Sequence, residues 1–598
     1  MRAGVDTGGT FTDFVFWDGE RLRTYKARST PEDPSRAILD GLPAETQELV
    51  HGSTVATNAL LERKGARTAL VATEGFEDLL EIGRQNRRSL YDWLDAGRQP
   101  LVERSLRFGL PERVRADGSV ETALTLDAVE RLEAGLHRAG AESVAVCLLH
   151  SYAAPQHERM VGEALRERGF FVSLSSEILP EYREYERAST TAVNAYVSPK
   201  MAGYLRRLDA GAPPGARLRV FQSNGGSMSA AQAGAEAVRT VLSGPAGGVQ
   251  GAVEAARAAG FERLISFDMG GTSTDVALYD GRFEYASETE LADCPVRVAM
   301  LDIHTVGAGG GSIAWFDPAG ALRVGPESAG AEPGPVCYGS GDRVTVTDAN
   351  LILGRIDPER FLSGRMRLDE PRARRALEQM AARAGVGAEE LARAVVATAN
   401  SNMERAIRRI SVERGKDPRE LALVAFGGAG PLHACELAER LKMRTVLAPR
   451  HAGVLSALGM LTADFVRDHS ASLLDRDAEP VFQALEQQAL AELREEGFAE
   501  ARLERSIDLR YRGQSYEITV PWSERDRFDA AHERLYGYRH EGRAQEAVTA
   551  RLRAVGVAQQ TSRIRLDAES EAQEFFSVYA PPGWTRTVDA LGNTILRR

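Results

Sequence analysis

One eight-residue pattern, D-x-G-G-T-x-T-D, occurs twice in this chain. It runs from Asp6 to Asp13 as "DTGGTFTD" and from Asp268 to Asp275 as "DMGGTSTD". In both copies an apolar stretch precedes the first Asp and another follows the motif. An Asp-Gly pair then arrives twelve residues after that Asp, at Asp18-Gly19 and at Asp280-Gly281. Apolar run, Gly-Gly turn, apolar run, Asp-Gly turn predicts strand, turn, strand, turn. A unit of that kind written twice is an internal structural repeat, and it governs the fold.

The turn composition says what the repeat can hold. Gly8, Gly9, Gly270 and Gly271 carry no side chains, so backbone N–H groups can approach a ligand closely. Thr10, Thr12, Thr272 and Thr274 add hydroxyls suited to phosphate oxygens, with Phe11 and Ser273 between them. Asp6 and Asp268 are wrong beside bare phosphate but right beside a phosphate-bound Mg²⁺, directly or through its waters. A single copy reads equally well as a tight Gly-Gly hairpin with polar decoration. Two matched copies favour two phosphate hairpins facing each other across a cleft. A third glycine element supports that reading: in "ELALVAFGGAGPLHACELAERL" a strand through Phe426 meets a Gly427-Gly428-Ala429-Gly430 turn and a helix opened by Pro431. Strand, glycine loop and helix N-terminus suit a nucleotide, although any β–α junction can use glycine.

At 598 residues the chain exceeds a single core, so three or four domains are expected. With 74 Lys plus Arg against 85 Asp plus Glu the net charge is −11, which argues against bulk electrostatic binding to nucleic acid or an anionic membrane. No apolar run approaches the roughly 20 residues of a membrane span; "SVAVCLLHSYAA" reads as a buried strand. The first motif begins at Asp6 and leaves no room for a cleavable signal. Cys147, Cys294, Cys337 and Cys435 form no CxxC pair, so reduced thiols in cytoplasm are expected.

Paired hairpins with a late GGAG loop resemble the phosphate and adenosine elements of the actin, Hsp70 and sugar-kinase ATPase fold. The text between them resembles the hydantoinase/oxoprolinase family, A subunit. The resemblance is carried by "HGSTVATNALLERKGARTALVATEGFEDLLEIGRQNR", "SSEILPEYREYERASTTAVNAYV", "QSNGGSMS", "LSGPAGG", "LDIHTVGAGGGSIAW", "GPESAGAEPGPVCYG", "VTDANLILGR", "ISVERGKDPRELALVAFGGAGPLHA" and "GVLSALGML". It implies an α/β fold: a duplicated actin-like (Hsp70/sugar-kinase type) ATPase with two lobes around a nucleotide cleft, plus an α+β C-terminal region. It further implies ATP and Mg²⁺ as cofactors, a small-molecule cyclic amide as substrate, and a B-type subunit as partner in a hetero-oligomer. In such chemistry ATP phosphorylates an unreactive oxygen and makes it a better leaving group. ATP-dependent ketone carboxylation is the alternative, and a non-metabolic actin- or Hsp70-like switch is a third reading. "TSRIRLDAESEAQEFFSVYA" joins "RLRAVGVAQQ" directly to "PPGWTRTVDALGNTILRR", as though a β-rich stretch were shortened.

Other residues leave alternatives open. Asp302 and His304, two apart on a strand, share a face; they either bind metal or substrate or steady the glycine-rich turn from Gly307. His51 and Asn58 either line the cleft or belong to a helix entry capped by Ser53 or Thr54. Ser243 to Gly248 opens a helix that serves close packing at the hinge. "YGYRHEG", from Tyr536 to Gly542, reads as a surface or interface element. No GxSxG or HExxH pattern is present, so the hydrolytic half of the reaction is expected on another subunit. The expected organisation is a first lobe with an inserted α/β region over 1–190, a return to that lobe with the hinge helix over 191–258, a second lobe over 259–470, and the C-terminal region over 471–598. Within it, long helices are expected around 390–415 and 480–497.

Overall fold

A computed structural model describes the chain apart from residues 9–10, 31, 87–90, 92–97, 287, 362–363, 365, 474–475, 558–563, 565, 567–569 and 572–575. The repeated motif seeds two sheets with the same wiring. In the first lobe, β1 (Arg2–Thr7) and β2 (Phe11–Trp17) form the motif hairpin, continued antiparallel by β3 (Leu22–Arg28). On the other side of β1 lie β4 (Glu48–Ser53) and β5 (Arg217–Phe221), both parallel, and then β6 (Ser227–Ser229), antiparallel. The second lobe repeats every step. β7 (Arg263–Met269), β8 (Thr274–Asp280) and β9 (Ile303–Val306) are antiparallel; β10 (Ala422–Phe426) and β11 (Thr445–Ala448) run parallel to β7; β12 (Thr594–Arg597) closes antiparallel.

The central strands are apolar on both faces because helices cover them. In β10 every residue is buried, as expected of a strand with parallel neighbours inside an α/β sheet. Between the two sheets, helix α1 (Ser243–Ala258) packs against helix α2 (Leu455–Thr462). The contact is backbone on backbone. A Cβ on Gly459 would stand 2.0 Å from the Gly247 carbonyl oxygen, and one on Gly251 would stand 2.3 Å from that of Leu455. This is the work of "LSGPAGG" and "GVLSALGML": small residues let two helices share one seam between the lobes. Gly251→Ala is therefore expected to overpack the seam and cost about 1–3 kcal/mol of stability, read as a lower denaturation midpoint; an unchanged midpoint would contradict this packing.

The region between β4 and β5 carries a separate parallel sheet, Phe171–Leu174, Ser143–Cys147, Thr68–Thr73 and Arg107–Leu110 in spatial order. The Ser143–Cys147 strand is wholly buried, in line with its apolar run, and helix Gln156–Glu167 is followed by Gly169 at φ +86°. Two expected helices move at their ends. The one expected to reach Gly415 stops at Ile410, where Ser411 turns its hydroxyl back onto the Ile407 carbonyl and a short 3-10 turn follows. The Glu-rich one spans Ala478–Glu495.

The C-terminal residues join both lobes. Strands Phe465–Ser472, Gln545–Gly556, Ala501–Tyr511 and Ile518–Pro521 extend the first sheet beyond β6, while β12 and Thr585–Val588 complete the second. Much of the joining stretch over 561–580 lies outside the described residues.

Candidate active site

Hairpin register sets the chemistry of the cleft. In the first lobe Asp6 pairs with Asp13 and Thr7 with Thr12; in the second Asp268 pairs with Asp275 and Met269 with Thr274. Each turn closes in the same way, by Gly8 N–H donating to the Phe11 carbonyl at 3.0 Å and by Gly270 N–H to that of Ser273 at 3.1 Å. Each hairpin thus presents two carboxylates side by side.

Glycines from separate motifs crowd the leading aspartates. A Cβ on Gly52 would lie 3.4 Å from Asp6 Oδ1, one on Gly244 would lie 3.7 Å away, and one on Gly427 would lie 2.2 Å from Asp268 Oδ1. Gly244 is in the first turn of α1, and Gly427 precedes helix α3 (Gly430–Leu441) by three residues. Both aspartates therefore stand near a helix N-terminus, the end that carries partial positive charge.

The two lobes meet electrostatically at these groups. Burial pushes the Asp268 carboxyl up to about 8, and the charges of Asp275, Asp6 and Asp13 add to the rise while Lys26 opposes it. Burial pushes Asp6 up to about 7, with Asp13 adding and Lys26 opposing. Lys26 Nζ lies 2.5 Å from Asp13 Oδ1 and 5.5 Å from the Phe11 ring centroid. Lys26 acts on three of the four motif carboxylates, Asp6, Asp13 and Asp268, which leaves a surplus of negative charge that a divalent cation would neutralise. Among the described residues no three His, Cys, Asp or Glu side chains form a ready-made metal cage. That donor set fits a Mg²⁺ held partly by phosphate and water rather than by protein alone.

The turn tips are less uniform than their sequence. Gly9 and Thr10 lie outside the described residues. Gly270, Gly271 and Thr272 are exposed at the second tip. Thr12 and Thr274 are buried, so the expectation that their hydroxyls meet phosphate is corrected: Thr12 Oγ1 is 3.1 Å from Ser29 Oγ, and Thr274 donates to the Ala308 carbonyl at 2.5 Å. The two-residue side-chain period of a strand turns these positions inward. The loop from Gly307 to Gly311 packs on the second tip, where Gly310 and Gly311 N–H groups donate to Gly270 and Gly271 carbonyls at 3.0 and 2.6 Å. In the third glycine element, Ala429 N–H donates to Met269 O at 3.0 Å, while the space beside Gly428 is open.

Of the tentative substrate residues, His51 is a correction. Its ring is fully buried, Nδ1 lies 3.2 Å from Val5 O, Nε2 lies 2.7 Å from Tyr204 Oη, and burial holds it down to about 4. It is a neutral core histidine. Asn58 is exposed on helix Val55–Leu61, 3.5 Å from Thr54 Oγ1, and Ser53 Oγ accepts from Val55 N–H at 3.2 Å. Asp302 is ion-paired with Arg414, and His304 pairs with Val276 across the strand. Burial, with Arg409 nearby, lowers the His304 imidazole. Sequence reasoning passed over Asp13, Asp275, Lys26, Gly52 and Gly244. The signal was available in the motif itself, which ends on Asp and, as a hairpin, must set that Asp opposite the first.

Two sheets of identical wiring, each offering a D-x-G-G-T-x-T-D hairpin to one cleft, define a duplicated actin-like fold. The chain belongs to the hydantoinase/oxoprolinase family: the hydantoinase/oxoprolinase model matches residues 187–469 and its N-terminal-region model matches residues 2–169. It is 38% identical to caprolactamase subunit alpha of Pseudomonas jessenii, over 90% of this chain and 84% of that one. It is 35% identical to 5-oxoprolinase 1 of Arabidopsis thaliana, over 98% of this chain but 53% of that protein, about half its length. The crystal structure of the ATP-dependent caprolactamase from Pseudomonas jessenii superimposes with a TM-score of 0.88 at 32% identity, covering 100% of both chains. A nucleotide-free acetone carboxylase structure follows at a TM-score of 0.77 and 26% identity, covering 100% of this chain and 99% of that one.

Proposed function

We propose that this chain is the ATP-binding A subunit of an ATP-dependent cyclic amide hydrolase. The observation that carries the reading is the meeting of Asp6 and Asp268, one from each lobe, in a single acidic field. An amide carbonyl oxygen is a poor leaving group. Transfer of the ATP γ-phosphoryl to that oxygen, with ADP leaving, makes the ring carbon electrophilic. One water adds there, the C–N bond breaks with the protonated ring nitrogen leaving as amine, and a second water hydrolyses the resulting acyl phosphate to carboxylate and phosphate.

Each group in the cleft has a place in this scheme. The turns Gly8 to Thr12 and Gly270 to Thr274 hold phosphate oxygens through backbone N–H groups and the exposed Thr272, and Gly427 to Gly430 receives the adenosine. Mg²⁺ supplies neutralisation of the phosphate charge when bound. Asp6 and Asp268 orient its waters, or one of them takes the proton in phosphoryl transfer. Donors fixed around a developing phosphoryl charge are the main source of rate in such transfers. The water-adding half belongs to a B-type partner subunit. The word "subunit" in the caprolactamase name and the much longer 5-oxoprolinase chain support a second component, as a separate subunit or as a fused half. No described helix is long and apolar enough to cross a membrane.

The test is phosphate release from ATP by the chain with its co-purified partner, challenged with caprolactam, 5-oxoproline and hydantoin, then with acetone plus bicarbonate. Stimulation by a cyclic amide is the expected result; stimulation only by ketone plus bicarbonate would replace the reading with carboxylation. A second expectation needs no turnover. Because Asp6 and Asp268 hold protons near neutrality, a cation bound there displaces them. Mg·ATP affinity should rise at least about fivefold from pH 6 to pH 9, with proton release visible by calorimetry in buffers of different ionisation enthalpy. An affinity flat with pH would contradict cation binding at these carboxylates.

A further inference from the structure

Away from the cleft, a cavity of about 660 Å³ lies between the C-terminal strands of the first sheet and the segment 285–299, which leaves the second lobe after β8. Strand Gln545–Gly556 forms part of its wall and stands five positions from β1 in the same sheet. At about 4.8 Å per position, the cavity is on the order of 20 Å from Asp6. Its volume is in the range of small-molecule sites and far beyond that of a single water.

The wall has a consistent chemistry. Five arginines and three carboxylates line it, and carboxylates behind the wall, among them Glu517, Glu236 and Glu486, pair with the arginines as well. Most of these arginines are fixed by ion pairs. Arg551 donates to both Glu181 carboxylate oxygens at 2.8 and 3.0 Å, and Arg553 donates to both oxygens of Asp468 at 2.8 and 3.0 Å. Arg553 also stacks 3.9 Å from the Tyr285 ring centroid.

Arg297 is different. Its side chain is 4% exposed, Nη2 donates to Glu517 Oε1 at 2.6 Å, and Nε is 3.3 Å from Glu181 Oε2 without hydrogen-bond geometry. Its Nη1 is buried and has no hydrogen-bond partner. A buried guanidinium donor without an acceptor is rare, and it marks a place where an acceptor belongs. Leu503, Leu552, Val298 and Trp522 supply apolar wall. Bracing of segment 285–299 against the sheet explains the paired arginines. It does not explain an orphaned donor on a side chain that lines the cavity.

We propose that this cavity is a second small-molecule site, separate from the nucleotide cleft, for an organic carboxylate. Its anionic head is held by the Arg297 guanidinium and its apolar body lies against Leu503, Leu552 and Trp522. The proposal stands independently of the amide reading, because it concerns binding without nucleotide.

The experiment is calorimetric titration of the protein with its partner, in the absence of ATP, using acetate, hexanoate, benzoate and glutarate. Hexanamide serves as the uncharged counterpart of hexanoate. Saturable binding of at least one carboxylate is expected, at least tenfold tighter than hexanamide where hexanoate binds. Leu552→Trp, which fills the cavity while leaving the guanidinium in place, should abolish binding, and Arg297→Met should weaken it at least tenfold. Asp268→Asn should bind the carboxylate as the unaltered protein does. No binding by any of the four acids, equal binding of the amide, binding that survives Leu552→Trp, or loss of binding in Asp268→Asn would each overturn the proposal.

Discussion

Asp268→Asn is expected to lower ATP turnover by at least about 100-fold and, at the same time, to make the ligand-free protein more stable at pH 8. The first effect follows from the proposed role of the carboxylate beside phosphate and cation. The second follows from its electrostatics. Burial and the neighbouring carboxylates raise Asp268 from an ordinary 3.8 to about 8 in the folded chain. The folded state therefore holds a proton that the unfolded state releases, and stability falls as pH rises from about 4 to about 8. Asparagine cannot ionise and escapes that loss. The variant should match the unaltered protein at pH 4 and exceed it by about 1–3 kcal/mol at pH 8, measured by denaturant unfolding at each pH. Unchanged turnover would remove Asp268 from the site; equal stability at pH 8 would contradict its crowding.

Gly427→Ala should be comparably damaging for a different reason. Gly427 sits at φ +75°, where a side chain is strained, and a Cβ there would stand 2.2 Å from Asp268 Oδ1 and 2.6 Å from Met269 O. The left-handed conformation alone costs about 1–2 kcal/mol, and relieving the clash must displace either the carboxylate or the end of β7. ATP turnover is expected to fall about 100-fold with a lower denaturation midpoint. Gly428→Ala is the matched control: nothing lies within 4 Å of its Cβ, so its stability should stay within about 0.5 kcal/mol. A Gly427→Ala protein with normal turnover would show that the loop need not touch Asp268.

The hairpins were legible because their signal is local: strand, turn and strand lie within about twenty residues, and the repetition removes the ambiguity of a single Gly-Gly turn. The glycine seam between α1 and α2 was legible on the α1 side, where "SGPAGG" has no other use. Its partner glycine, Gly459, is unremarkable in a helix until the two helices are brought together. His51 misled because a histidine beside Gly-Ser-Thr looks exposed and reactive. Only the parallel pairing of β4 with β1 shows that the ring faces Tyr204 in the core. Thr12 and Thr274 misled in the same way, since composition names a hydroxyl but register decides which face it takes. The C-terminal strands were the hardest to place. Pairings such as Phe465 with Gly556, and Thr445 with Arg597, join residues remote in sequence, and no local pattern specifies a partner at that distance.

The most direct test of the central claim follows the amide oxygen itself. Caprolactam or 5-oxoproline labelled with ¹⁸O at the ring carbonyl would be turned over by the chain with its partner in the presence of Mg·ATP, and the released phosphate analysed by mass spectrometry. Phosphorylation of the amide oxygen, followed by attack of the second water on the acyl carbon, places one ¹⁸O in each phosphate formed by productive turnover. Unlabelled phosphate, with the ¹⁸O retained in the ring-opened carboxylate, would contradict the account, because the amide oxygen would then not have departed as phosphate.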